Sequence, residues 1–160
     1  MTSGTGERIH IDRTGMVGMA LPVAEAFPLF NAKGEKRWVP GWDPFFVYPT
    51  VPGAGDGVVF QTIKNGAGTA TWVQSRHEPN RGVASFVCLV PDHHVAMVDV
   101  AVISIDEGRS RASVRYRMTS LSSDADEFVR AFGESFDDLM TGWEEAIQRH
   151  IVEGVPLAGV

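Results

Sequence analysis

One cysteine, Cys88, is all that the 160-residue sequence contains, so neither an internal disulfide nor a multi-thiolate metal site can hold the fold together. Long hydrophobic runs are also missing. The longest, residues 83–90, is interrupted by Ser85 and falls well short of the roughly 20 apolar residues that a spanning helix needs. Residues 1–10 are polar and glycine-containing, without the basic-then-apolar order of a secretory signal. Positive charge is in deficit: 14 Lys and Arg stand against 20 Asp and Glu, a net charge of −6 at pH 7. That balance argues against nucleic acid or an anionic membrane surface as a partner. These absences predict a cytoplasmic protein that takes no nucleic acid and does not enter a membrane.

What is present fits one globular unit. Hydrophobic residues make up 44% and charged residues 21%, near the averages for globular domains. A chain of this length buries roughly 70% of its unfolded surface, enough for a core without staples. We expect a single domain over residues 8–151, with tails at 1–7 and 152–160. Residues 8–19 are a strand candidate in which Ile9, Ile11 and Val17 share a face. Residues 21–30 read as a short helix, with Pro22 in the first turn and Ala24, Phe27 and Phe30 at helical spacing. Residues 31–38 read as a second short helix, broken at Gly34. Pro40, Pro44, Pro49 and Pro52 make 39–57 a loop around a brief strand at 45–48.

Beyond Gly57, strands at 58–64, 69–78, 82–90, 94–105 and 110–121 alternate with the turn signals Asn65-Gly66, Glu78-Pro79-Asn80, Pro91-Asp92-His93 and Asp106-Glu107-Gly108. That is an antiparallel meander. Ser122, Ser123 and Asp124 then offer N-cap oxygens for one amphipathic helix of about seven turns. Its apolar stripe is Phe128, Phe132, Phe136, Leu139, Trp143 and Ile147.

Loop length decides which residues face inward, because a slip of one residue exchanges the two faces of a strand. A three-residue loop at 106–108 sets Asp99 opposite Arg115 and gathers Val98, Val100 and Val102 with Ala112, Val114, Tyr116 and Met118 on the other face. A similar loop at 91–93 adds Ala84, Phe86 and Cys88, completing a floor for the long helix. The outer face carries Arg109, Arg111, Arg115 and Arg117, read as solvated, with Arg115 or Arg117 paired to Asp99. It also carries Val83, Val87, Leu89, Val95, Met97 and Ile103, an apolar patch open to two readings: a homodimer contact, or cover by the N-terminal segment. Strand 69–78 admits both parities, with Thr71, Val73, Ser75 and His77 inward or with Trp72, Gln74 and Arg76 inward. The first is preferred because it buries fewer large polar groups.

The segments Leu21-Pro22-Val23-Ala24-Glu25-Ala26-Phe27, Gly34-Glu35-Lys36-Arg37-Trp38-Val39-Pro40-Gly41-Trp42-Asp43-Pro44 and Val114-Arg115-Tyr116-Arg117-Met118-Thr119-Ser120-Leu121, set in this order of elements, carry a family resemblance. Over residues 8–151 the sequence resembles the SRPBCC superfamily, which includes START lipid-binding domains, the birch-pollen-allergen type and the polyketide cyclase/dehydrase type. The resemblance implies an α+β helix-grip fold: a curved antiparallel β-sheet wrapped around a long C-terminal α-helix, with two short helices after the first strand. It implies a cavity between sheet and helix for a hydrophobic or aromatic small molecule, lipid-like or polyketide-like. The residues expected to line it are Trp38, Trp42, Val73, Phe86, Val98, Val100, Tyr116, Met118, Phe136, Met140 and Trp143. Tyr116 reads either as an orienting hydroxyl or as a packed aromatic. Trp38 and Trp42 read either as cover for the mouth or as anchors of a loose segment, and Glu35 as a local cap or ion pair.

Three functions fit. A carrier or sensor of a hydrophobic ligand comes first. An aromatase, cyclase or dehydratase-type enzyme is the alternative, with Tyr116 and either His77 or Arg76 as candidate acid/base groups. An interaction module using the outer sheet face is the third. No cofactor and no metal are expected. His93 and His94 are adjacent and point oppositely on a strand, while His10 and Asp12 share a face without a third ligand. There is no P-loop, dinucleotide fingerprint or nucleophile elbow, and Cys88 reads as an inert core thiol.

Overall fold

The computed structural model describes residues 6–64 and 68–154. Alternating apolar and polar side chains between turns give seven strands: β1 His10–Met19, β2 Phe45–Tyr48, β3 Val59–Lys64, β4 Gly68–Glu78, β5 Val83–Val90, β6 His94–Asp106 and β7 Arg109–Ser120. They form one antiparallel sheet in the order β1-β7-β6-β5-β4-β3-β2, so the first strand closes against the last. Helix α1 (Val23–Ala26) and the 3-10 turns Phe27–Phe30 and Gly34–Arg37 fill the span from β1 to β2. Helices α2 (Asp126–Glu134) and α3 (Phe136–Glu153) follow β7. Helix α3 crosses β1 closely at Gly15, where an added methyl carbon would come 2.5 Å from Met140 Cγ and 3.1 Å from the Phe136 ring. A glycine inside a strand here serves helix packing.

The expected register is present. Asp99 faces Arg115, and Val90 faces His94. Ala84, Phe86, Val98, Val100, Val102, Ala112 and Val114 are all buried beneath the helices. On the outer face Arg117 binds Asp99 at 3.0 Å, while Arg115 reaches across to Asp12 of β1 at 2.7 Å.

Asp12, Glu78 and Asp106 are each held below the ordinary carboxylate range, first by side-chain hydrogen bonds from Arg115, Arg76 and Arg109 respectively. A carboxyl whose pKa is lower folded than unfolded adds stability above its unfolded pKa, and that stability is lost as pH falls through the folded value. The urea midpoint is therefore expected to stay level from about pH 7 to about pH 5 and to drop below about pH 4. Asp12→Asn is expected to shrink that drop slightly, since all three pairs are exposed. An acid limb unchanged in all three Asp-or-Glu-to-amide variants would contradict the assignment.

Five expectations are corrected. Neither parity of β4 is right throughout. Trp72 pairs with Cys88 and Gln74 with Phe86, which turns both inward, and a bulge between Gln74 and Arg76 then exchanges the faces, so that His77 opposite Ala84 points inward and Arg76 outward. Val73 stands opposite Val87 on the outer face. Burying Gln74 is tolerated because its Oε1 accepts from the Gly55 amide at 2.9 Å and leaves no stranded acceptor.

The long helix is two helices. Ser135 donates its hydroxyl to the Ala131 carbonyl at 2.9 Å, the back-bonding that bends helices, and α3 restarts at Phe136. The break moves the stripe. Val129 is buried, whereas Phe128 is exposed and stacks on His94 at 4.9 Å. No side-chain cap forms at Ser122 or Ala125; instead the Ser120 hydroxyl donates to Asp126 at 2.5 Å and accepts from the Ile9 amide at 2.9 Å. Gly34 begins the 3-10 turn instead of interrupting a helix. Finally, α3 runs through Glu153 to a left-handed Gly154, so residues 152–153 are helix and not tail.

The turn expected at Asn65-Gly66 lies outside the described residues, as do most of both expected tails. Tyr48, Val59, Val73, Val87 and Met97 stand opposite one another across the outer face of five strands. Residues 10–19 extend the sheet beyond β7 and do not cover that row. His93 and His94 turn their rings together, with Nδ1 atoms 2.8 Å apart, because His93 sits in the turn and only His94 in the strand. Among the described residues no three His, Cys, Asp or Glu gather as metal ligands, and no helix is long and apolar enough to cross a membrane.

Candidate functional site: an aromatic cavity under the sheet

The inner sheet face, the segment from Phe30 to Trp42 and α3 enclose a cavity of about 120 Å³. Phe60 of β3, Trp72 of β4, Phe86 of β5, Val98 and Val100 of β6 and Tyr116 of β7 form its floor. Phe30, Ala32, Glu35, Val39 and Trp42 cover it from the β1 to β2 span, and Trp143 closes it from α3.

The aromatic walls are fixed by one another and by hydrogen bonds. Phe60 and Trp72 stack at 5.7 Å with planes 4° apart, and Trp42 stands edge-on to both at 6.1 and 6.0 Å. The Trp42 indole donates to the Ala32 carbonyl at 2.8 Å and that of Trp72 to Thr62 at 3.0 Å. With their N–H groups satisfied by these acceptors, both indoles can present apolar ring surface to the cavity.

Two groups break the apolar lining. Glu35 is placed by the Gly34–Arg37 turn, whose start is pinned by the Asn31 side chain accepting from the Gly34 amide at 2.8 Å. Tyr116 is held by Phe132 at 5.1 Å, Phe136 at 5.8 Å and Trp143 at 6.4 Å. Its hydroxyl has no hydrogen-bond partner among the described residues. Burial, then the Glu35 carboxylate, then Cys88 push the phenol far above its ordinary value. It is a neutral donor at any physiological pH. The ring also shows some accessible surface; because it lines the cavity, we assign that surface to the cavity and not to bulk water.

Of the eleven residues expected at this site, six line it: Trp42, Phe86, Val98, Val100, Tyr116 and Trp143. Trp38 lies behind the wall, 1% exposed, donating to the Leu29 carbonyl at 2.8 Å and packed edge-on against Phe30 and Trp143. It anchors the covering segment. Met118, Phe136 and Met140 are buried in the core outside the lining, and Val73 is on the far side of the sheet. Arg76 pairs with Glu78 on the outer face, and inward His77 stacks on Phe27 at 5.7 Å outside the lining. His77 and Arg76 therefore do not join Tyr116 in the cavity.

Sequence reasoning missed Phe30, Ala32, Glu35 and Val39 as lining, and with them two rings of the sheet, Phe60 and Trp72. The signal for the two rings was their register: Phe60 opposite Trp72 opposite Cys88 continues the inner face across three strands. Glu35 carried no such signal, since a 3-10 turn has no extended period. Val39 and Trp143 also line a second, surface groove of about 370 Å³ with Pro40, Leu139 and Ala146, and so form the partition between cavity and exterior.

A curved antiparallel sheet gripping a C-terminal helix, with short helices after the first strand, is the helix-grip fold of the SRPBCC, or Bet v 1-like, proteins, and this chain has it. No family model and no curated protein matches the sequence. Among solved structures, truncated norcoclaurine synthase from Thalictrum flavum superposes with a TM-score of 0.68 at 8% identity, covering 94% of this chain and 98% of that one. The Zhui aromatase/cyclase from Streptomyces gives 0.58 at 20% identity over 96% and 99%. Ara h 8.0201 gives 0.60 at 11% identity over 87% and 98%.

Proposed function

We propose that the protein binds a small aromatic molecule, no larger than about one ring, in the cavity between sheet and α3. The observation that carries this reading is the cavity itself, about 120 Å³ walled by aromatic rings with two polar groups in its lining. An apolar cavity of about 150 Å³ accommodates benzene. A long acyl chain or a multi-ring polyketide would first have to displace Val39 or Trp42. Affinity comes from apolar burial at roughly 25 cal/mol per Å², and orientation from the polar pair.

Native mass spectrometry of the freshly purified protein, followed by denaturing extraction, tests this directly. A retained single-ring compound supports the reading, and a retained long-chain lipid overturns its size limit.

A second reading is favoured by Glu35 and Tyr116, the two polar groups of the lining, sharing one cavity. In an acid/base reaction of the cyclase type, Glu35 would accept a proton from the substrate while the Tyr116 O–H supports the oxygen that gains negative charge. The neutral state of Tyr116 suits that donor role.

Tyr116→Phe tests both readings. Removing a buried hydroxyl without a protein partner is expected to change the urea-unfolding free energy by less than about 1 kcal/mol, in either direction. Ligand affinity, or turnover if there is any, is expected to fall about tenfold for the loss of one hydrogen bond in a dry site. A large loss of stability with unchanged binding would make Tyr116 a packing residue only.

A further inference from the structure

Resting on the cavity as the binding site, we infer that the surface groove beside α3 is its port and that Val39 is the gate, the residue that decides which guests pass. The cavity, about 120 Å³, and the groove, about 370 Å³, share Val39 and Trp143 and no other lining residue. The two shared side chains are not equally free. Trp143 is packed against Trp38 at 5.4 Å, Tyr116 at 6.4 Å and Phe30 at 6.5 Å, so turning its ring would unpack three others. Val39 has a fixed backbone, its N–H donating to the Glu35 carbonyl at 2.8 Å and its own carbonyl accepting from the Trp42 amide at 3.3 Å, but its half-buried side chain is only two methyl groups. A χ1 turn of that side chain opens the partition without moving an aromatic ring.

The rival route is less open. A pocket of about 210 Å³ meets the cavity at Trp42. Its walls include Asp43 and Thr62, poor company for an apolar guest, and Trp42 is held by the Ala32 carbonyl and by the rings of Phe60 and Trp72. The groove, by contrast, is walled by Pro40, Leu139 and Ala146. Gly142 adds an independent observation. It stands inside α3, where glycine costs helix stability, and a Cβ there would meet nothing within 4 Å. Neither a turn nor a close approach requires a glycine at this place. It lines the groove, and the missing side chain leaves the groove clear.

The test uses the full chain, with fluorobenzene as a one-ring probe and fluoronaphthalene as a two-ring probe, read by fluorine NMR titration and exchange spectroscopy. Gly142→Leu fills the groove, suits the helix and leaves every cavity-lining residue in place. Fluorobenzene is expected to enter and leave this variant at least about tenfold more slowly with Kd within about twofold of wild type, because a blocked port raises the barrier in both directions and changes neither end state. Wild type is expected to bind fluoronaphthalene at least about tenfold more weakly than fluorobenzene, and Val39→Ala to speed exchange and erase that difference. Unchanged rates in G142L, or a weakened Kd with an unchanged association rate, overturn the port and leave the cavity reading standing. A wild-type protein that takes both probes equally well, or a V39A variant that still excludes the larger one, overturns Val39 as the gate. Failure of fluorobenzene to bind wild type overturns the cavity reading and the inference with it. Should V39A not fold, the G142L rates and the wild-type ranking of the two probes decide.

Discussion

Gly34→Ala is expected to destabilise the protein by about 3 kcal/mol, at the top of the usual range for overpacking, and to abolish ligand binding. The added methyl carbon would fall inside contact distance of the Pro28 carbonyl oxygen, with the Pro28 carbonyl carbon at 2.9 Å and Leu29 Cα at 3.1 Å. All three are backbone atoms, so no side-chain rotation relieves the clash. One of the two 3-10 turns must move, and each carries part of the site: Phe30 ends the first and Glu35 lies in the second. The backbone at Gly34 is not left-handed, so the requirement is for space and not for glycine's freedom. Urea unfolding and probe titration check the result. A loss below about 1 kcal/mol with binding retained would show that the turns are not locked together.

Trp38→Ala carries the second large effect. The side chain is 1% exposed, touches Phe30 at 5.9 Å and Trp143 at 5.4 Å, and donates to the Leu29 carbonyl. Deleting a buried aromatic of this size costs about 4 kcal/mol, which for a chain of this length lowers the melting temperature by roughly 8 to 16 °C. Trp38→Phe keeps ring contact and strands only the carbonyl, so a loss of about 1 to 2 kcal/mol is expected. Calorimetric melting of the two variants separates packing from hydrogen bonding. Equal losses in both would mean that the indole N–H, and not ring volume, holds the segment.

The parts of the fold legible in the sequence were those set by short-range rules. The three-residue loop at 91–93 fixed the pairing of β5 with β6. Between β6 and β7 the turn is two residues, 107–108, but a bulge between Ser104 and Asp106 restores the pairing expected from a three-residue loop. From these pairings followed the inward places of Phe86, Val98, Val100 and Tyr116. The brief strand at 45–48 was isolated by its prolines and is β2. What failed depended on distant partners or on local choices that hydrophobic periodicity does not record. The preference against burying Gln74 took an amide for an unpaid polar group, because the Gly55 N–H that satisfies it lies 19 residues away. The bulge after it, which turns His77 inward, leaves no mark in an alternation pattern. The helix break depends on a single serine whose hydroxyl serves its own backbone, and serine alone does not announce that choice. Glu35 was visible as a charged residue in an aromatic stretch, but only the packing of its turn over the sheet makes it part of a cavity.

The buried side chains fall into two hydrophobic clusters, one between the sheet, α3 and the covering segment, the other between Ile11, Cys88, Met118 and Val129 toward α2. Trp72, Tyr116 and Phe132 pack against both, and the first two also line the cavity. A guest in the cavity thus sits on the seam between two cooperative units. Occupancy ties their opening together, so backbone amides of β1 opposite α2, far from any direct contact with the guest, are expected to exchange with deuterium more slowly in the bound protein, in step with those of β5 and β6 beside it.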